Sequence, residues 1–134
     1  MNPLRIKQYL PGIAWFFLLA VLLAIPGSEF PETDNWFKKL QPDKWIHAGL
    51  FGVLAWLFMK PFLKTPGQKN MRVYVLLIMI LTSLWGLATE FLQESVVKGR
   101  SFDYWDWVAD SAGAVIAWLF FNRQLRKINA SQNP

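Results

Sequence analysis

Residues 73–92 read VYVLLIMILTSLWGLATEFL, an apolar run whose only charged side chain is Glu90. A helix of about 20 residues crosses the hydrocarbon core of a bilayer, so this run predicts a membrane-spanning helix. Three further apolar blocks predict three more spans. The four predicted spans are residues 10–25, 45–59, 73–92 and 104–121. Helices are expected because a chain of 134 residues is too short to close a lipid-facing barrel, and a lone strand leaves its backbone unpaired in lipid.

The composition favours a membrane protein and disfavours two other classes. Hydrophobic residues make up 54% of the chain, aromatic residues 16% and charged residues 17%, with a mean hydropathy of +0.23. A disordered chain does not carry so much apolar surface, and a water-soluble enzyme carries more charge. The absence of cysteine excludes disulfides and thiol chemistry. We predict one domain over residues 1–134 with an all-α fold, an integral membrane four-helix bundle.

Basic residues are distributed unevenly around the predicted spans. Nine lie on the side of the two termini and five on the other side, so the positive-inside rule predicts that both termini are cytoplasmic. The nine are Arg5, Lys7, Lys60, Lys64, Lys69, Arg72, Arg123, Arg126 and Lys127, and the five are Lys38, Lys39, Lys44, Lys98 and Arg100. Because they bracket the spans instead of forming one patch, the net charge of +5 does not indicate nucleic-acid binding. All nine acidic residues lie toward the outer side, where we expect any chemistry to occur.

The first apolar block has an alternative interpretation as a cleaved signal peptide, with Arg5 and Lys7 as its positive region. No small-x-small cleavage pattern precedes Pro26, and residues 15–17 are the bulky WFF. A retained span is therefore favoured.

Polar and small residues share one face in each of the last three predicted spans. These faces carry Ala48, Gly52 and Ala55 beside His47, then Thr82, Gly86, Thr89, Glu90 and Gln93, and finally Asp103, Asp106, Asp110, Gly113 and Ala117. Ionisable side chains in a span face the bundle interior or a wet cavity, and small residues let helices approach closely. We expect the three faces to meet in one pocket beneath the outer surface. The candidate ligand-binding residues are Lys44, His47, Glu90, Gln93, Arg100, Asp106 and Asp110.

Simpler roles compete with a binding role for several of these positions. Asp43 and Asp103 are expected to be N-caps of the second and fourth helices. A single histidine near a helix start is more often structural than a ligand. A purely structural clamp between Arg100 and the buried carboxylates is the alternative for the whole cluster.

The motifs around these residues resemble the VanZ-like family of small bacterial membrane proteins. The family pattern is DK-x-x-H, then E-x-x-Q, then R-x-x-D-x-x-D, followed in the last span by a polar residue, often Asn, before Gly. Here the pattern is carried by Asp43, Lys44 and His47, by Glu90 and Gln93, by Arg100, Asp103 and Asp106, and by Asp110 ahead of Gly113. Asp110 thus departs from the usual amide. The resemblance implies a multi-pass protein of the bacterial cytoplasmic membrane, in a family whose founding members accompany resistance to the glycopeptide teicoplanin.

The leading hypothesis is an outward-facing site that binds or handles a polar or lipid-linked envelope component, such as a cell-wall precursor or a glycopeptide-related ligand. Under this hypothesis we expect no cofactor and no metal. One alternative is an intramembrane metal-dependent hydrolase, with His47, Glu90, Asp106 and Asp110 as ligands. The other is a small structural or regulatory partner of another membrane protein, which would pack through its small residues.

Overall fold

The computed structural model describes residues 6–24, 42–97 and 101–132, and in these ranges it contains four α-helices and no strand. The helices are α1 (Leu10–Ala24), α2 (Pro42–Met59), α3 (Met71–Val96) and α4 (Tyr104–Gln132). Short 3₁₀ turns at Lys7–Tyr9 and Lys60–Lys64 precede α1 and follow α2. The predicted all-helical fold is confirmed for the described residues.

Local sequence explains the helix boundaries. Pro42 is the first residue of α2, a position where the missing N–H costs no hydrogen bond. Pro61 lies in the 3₁₀ turn that follows α2, because it cannot continue the ladder of hydrogen bonds. The prediction that Asp43 caps α2 is wrong: Asp43 lies inside the first turn of the helix, where its charge favours the positive end of the helix dipole. Asp103 does cap α4, since its Oδ1 accepts a hydrogen bond from the Trp105 N–H at 2.8 Å.

The closest helix packing joins α2 to α4 through small residues. A Cβ built on Gly113 would clash with the carbonyl oxygen of Ala48 and lie 2.9 Å from the backbone nitrogen of Gly52. Only glycine permits this approach of two backbones. The close contact brings the start of α2 alongside the start of α4, which is where the candidate site residues of both helices lie.

Apolar clusters fill the rest of the interior. At one end of the bundle, Met59 and Phe62 pack with Met71, Phe121 and Leu125. In the other cluster α1 docks on the bundle, with Leu19 and Leu23 against Phe51 and Leu54, and the Trp15 Nε1–H donates to the Leu50 carbonyl at 3.0 Å. The first cluster joins the end of α2, the start of α3 and the C-terminal half of α4, so these helices run antiparallel to their neighbours in the chain. The candidate site residues lie at the opposite end.

Much of the outer surface of the helices is apolar, whereas several polar side chains are buried inside the bundle. Phe17, Val21, Leu81 and Ile116 are all more than 60% exposed, while Thr82, Glu90 and Gln93 are buried. Three helical segments are long and apolar enough to cross a membrane: Lys7–Ala24, Asp43–Lys64 and Met71–Val96. The helix that contains the fourth predicted span, α4, is not among them, because it carries Asp106 and Asp110 and continues for ten polar-rich residues beyond Asn122.

Candidate functional site

Lys44 is the cationic centre of the site. Its Nζ donates hydrogen bonds to carboxylate oxygens of Asp103 and Asp106 and lies 3.3 Å from Asp43 Oδ2. The Lys44 side chain is 18% exposed and that of Asp106 is 4% exposed, so the Lys44–Asp106 ion pair is shielded from water. The three N–H donors of the ammonium group are therefore matched by three carboxylates.

His47 lies one helical turn deeper than Lys44 and connects two acidic residues of α4. Its Nδ1 is 3.0 Å from Asp110 Oδ1, and its Nε2 is 3.8 Å from Asp106 Oδ2. The spacing of three residues on α2 and four on α4 puts these side chains on facing stripes of the two helices. The imidazole ring also lies nearly parallel to the buried Phe51 ring, at a centroid distance of 6.4 Å.

Glu90 brings α3 to the same site. Its side chain is fully buried, and Oε2 accepts a hydrogen bond from the Asp103 N–H at 3.1 Å. Glu90 therefore holds the start of α4 against the end of α3. One ligand atom from each of Glu90, His47 and Asp110 lies within 4.8 Å of the others.

Gln93 lies one turn beyond Glu90 and contacts a different part of the chain. Its Nε2 donates to the Leu23 carbonyl at 2.9 Å, which ties the end of α1 to α3. Gln93 Oε1 is buried and has no hydrogen-bond partner within the described ranges. The side chain also lines a cavity of about 120 Å³ between α1 and α3 whose other walls include Ala20, Leu23 and Val96.

The sequence-based site is only partly assembled as expected. The structure brings together Lys44, His47, Glu90, Asp106 and Asp110, but Gln93 lies at the α1–α3 contact, and Arg100 lies outside the described residues. Asp43 and Asp103, for which the sequence favoured a role as helix caps over a site role, both contact Lys44. The sequence does indicate that Asp103 could belong to the site, because it lies one turn before Asp106 on the same helix face.

The charge balance of the site is acidic in the part of the chain that the structure describes. Five carboxylates, those of Asp43, Glu90, Asp103, Asp106 and Asp110, accompany Lys44 and the single imidazole. The hydrogen bond from Lys44 lowers the pKa of the Asp103 carboxyl, which lies just outside α4, and partial burial opposes this shift. The arrangement is thus suited to groups that donate hydrogen bonds or carry positive charge.

No protein-family model, curated protein or solved structure matches this chain.

Proposed function

We propose that the chain is a four-span, VanZ-like protein of the bacterial cytoplasmic membrane whose buried polar cluster binds the polar headgroup of a lipid-linked envelope component. The observation that carries this proposal is the convergence of Lys44, His47, Glu90, Asp106 and Asp110 from three helices. Ionisable residues are costly within a membrane and usually have a functional role there.

The distribution of apolar residues supports four spans, with α4 as the fourth. Val115, Ile116, Leu119 and Phe120 of α4 are all at least 40% exposed and form an outward apolar face. The acidic residues that lower the hydropathy of α4 point inward instead. With four spans and the excess of basic residues on the membrane side that holds the two termini and the middle loop, both termini are cytoplasmic and the polar cluster faces outward.

The charge of the cluster selects the class of headgroup. Lys44 is already matched by three carboxylates, so it has little capacity left for a phosphate. Within the described part of the cluster, five carboxylates outnumber the single lysine, Lys44, and can accept hydrogen bonds from amines or hydroxyls. Amine-bearing peptides or sugars, which occur on cell-wall precursors, have this chemistry.

The cavity between α1 and α3 supports a lipid-linked ligand. Its walls are mainly apolar, and Gln93 connects it to the helix turn that carries Glu90. The volume of about 120 Å³ admits a short segment of an acyl or isoprenoid chain, the rest of which would lie in the surrounding lipid. The alternative, that the chain packs through its small residues against another membrane protein, has less support. Ala48 and Gly52 already contact Gly113 within the chain.

The proposal is tested by expressing the chain in a teicoplanin-susceptible Gram-positive host. We expect the chain to raise the inhibitory concentration of teicoplanin, and Glu90→Ala and Arg100→Ala to return it to the empty-vector value. Glu94→Ala and Arg126→Ala are matched controls, because both side chains are exposed, and they should keep the resistance. Immunoblots of membrane fractions check that all variants insert equally. Unchanged resistance in both test variants, or none with the unaltered chain, would contradict the proposal.

A further inference from the structure

His47, Glu90 and Asp110 form a set of metal-type donors at the deepest point of the site. They come from α2, α3 and α4 respectively, and one ligand atom of each lies within 4.8 Å of the other two. His47 is 4% exposed, and Glu90 and Asp110 are 0% exposed. One imidazole and two carboxylates held on separate rigid helices are a donor set that divalent metals bind.

Asp110 presents an unpartnered, buried oxygen at this set. Its Oδ1 contacts His47 Nδ1, but its buried Oδ2 has no hydrogen-bond partner among residues 6–24, 42–97 and 101–132. Oδ2 lies against Gly86 of α3, where a Cβ would come within 2.6 Å of it. Burial of a carboxylate oxygen without a hydrogen bond is costly, and either a bound cation or a proton relieves that cost.

We propose that His47, Glu90 and Asp110 bind one divalent transition-metal ion, Zn²⁺ or Mn²⁺. A neutral imidazole and two carboxylates carry a charge of −2, which the ion neutralises. Ligand atoms around a tetrahedral metal are separated by roughly 3.4 Å, because metal–ligand bonds are about 2.0–2.2 Å long. The three ligand atoms already lie within 4.8 Å of one another. Small side-chain rotations therefore suffice to bring them to the separation that a bound metal requires.

This site departs from the leading sequence-based hypothesis, under which no metal is expected, and it suggests how a headgroup is held. Three protein ligands leave at least one coordination position open. A hydroxyl or carbonyl oxygen of the headgroup can take that position. Coordination of the headgroup rests on the proposed function, whereas metal binding itself does not.

The test uses the full chain purified in detergent through a tag without histidine, treated with EDTA and then loaded with Zn²⁺ or Mn²⁺. After desalting, we expect elemental analysis to find about one ion per chain and thermal unfolding to shift upward by several degrees. Asp110→Asn and His47→Ala should lose the ion. Glu94→Gln is the matched control and should retain it, because Glu94 is an exposed carboxylate outside the polar cluster.

A further variant keeps all three ligands. Gly86→Ala should weaken metal affinity at least tenfold, because the added Cβ displaces the Asp110 carboxylate. No retained ion in the unaltered chain, or equal retention in Asp110→Asn, would overturn the metal site, and this holds even if other variants fail to fold. Bound metal in a chain that confers no resistance would contradict the proposed function and leave the metal site standing.

Discussion

Lys44→Met is expected to reduce the free energy of unfolding by about 3 kcal/mol, as is typical when one partner of a shielded ion pair is removed. The methionine side chain is similar in length but leaves Asp106, 4% exposed, without its ammonium partner, and Asp103 loses its contact as well. The loss is measured by denaturant titration of the detergent-solubilised protein, with tryptophan fluorescence as the signal.

Two controls separate this effect from a general loss of charge. Lys64→Met removes an exposed lysine at the other end of the bundle and should change stability by less than about 0.5 kcal/mol. Adding Asp106→Asn to Lys44→Met should recover part of the loss, because the uncompensated charge is then absent. Equal effects of Lys44→Met and Lys64→Met would show that the Lys44 cluster does not form.

Gly113→Leu is expected to separate α2 from α4 and to cost at least about 3 kcal/mol, since overpacking here meets backbone atoms that cannot rotate away. Even a Cβ at this position clashes with the Ala48 carbonyl oxygen and approaches the Gly52 nitrogen. The same separation should move His47 away from Asp110, so the site is lost together with the packing.

Gly49, which follows Ala48 but lies on the exposed side of α2, provides a matched control. A Cβ at Gly49 has nothing within 4 Å, so Gly49→Ala should stabilise the protein by up to about 1 kcal/mol through helix propensity. Gly113→Ala and Gly49→Ala are thus predicted to have opposite signs in the same unfolding assay. A stable, folded Gly113→Leu protein would contradict the close α2–α4 contact.

The buried faces of the helices could be predicted from the sequence. Polar residues at helical spacing within an apolar run share one face, and that face turns toward the bundle interior because the other faces are suited to lipid. Thr82, Gly86, Thr89, Glu90 and Gln93 were predicted to share one face of the third helix, and all five are buried. The same reasoning placed Asp106, Asp110 and Gly113 in the interior. Periodicity specifies which side of a helix faces inward, whatever its partner is.

Partners and helix ends could not be predicted in the same way. Which acidic residues reach Lys44 depends on how α2 and α4 are registered, and Gln93 contacts Leu23 because α1 happens to end beside it. The predicted fourth span ended at residue 121, but α4 continues to Gln132. An apolar block marks only the part of a helix suited to lipid, whereas the residues after it, such as Arg126 and Lys127, are good helix formers that extend the helix.

The central claim, that acidic and imidazole groups from separate helices meet in one buried cluster, can be tested by a distance measurement in the unaltered protein, with variants to assign the signal. His47 is the only histidine of the chain, so ¹⁵N-histidine labelling marks one imidazole. With ¹³C-labelled aspartate and the protein in lipid bilayers, solid-state NMR dephasing experiments report the distance from Nδ1 to nearby carboxyl carbons. The structure predicts strong dephasing from Asp110, whose Oδ1 is 3.0 Å from Nδ1, which is lost in Asp110→Leu and kept in Asp43→Leu. An imidazole with no carboxyl carbon in close contact would contradict the account.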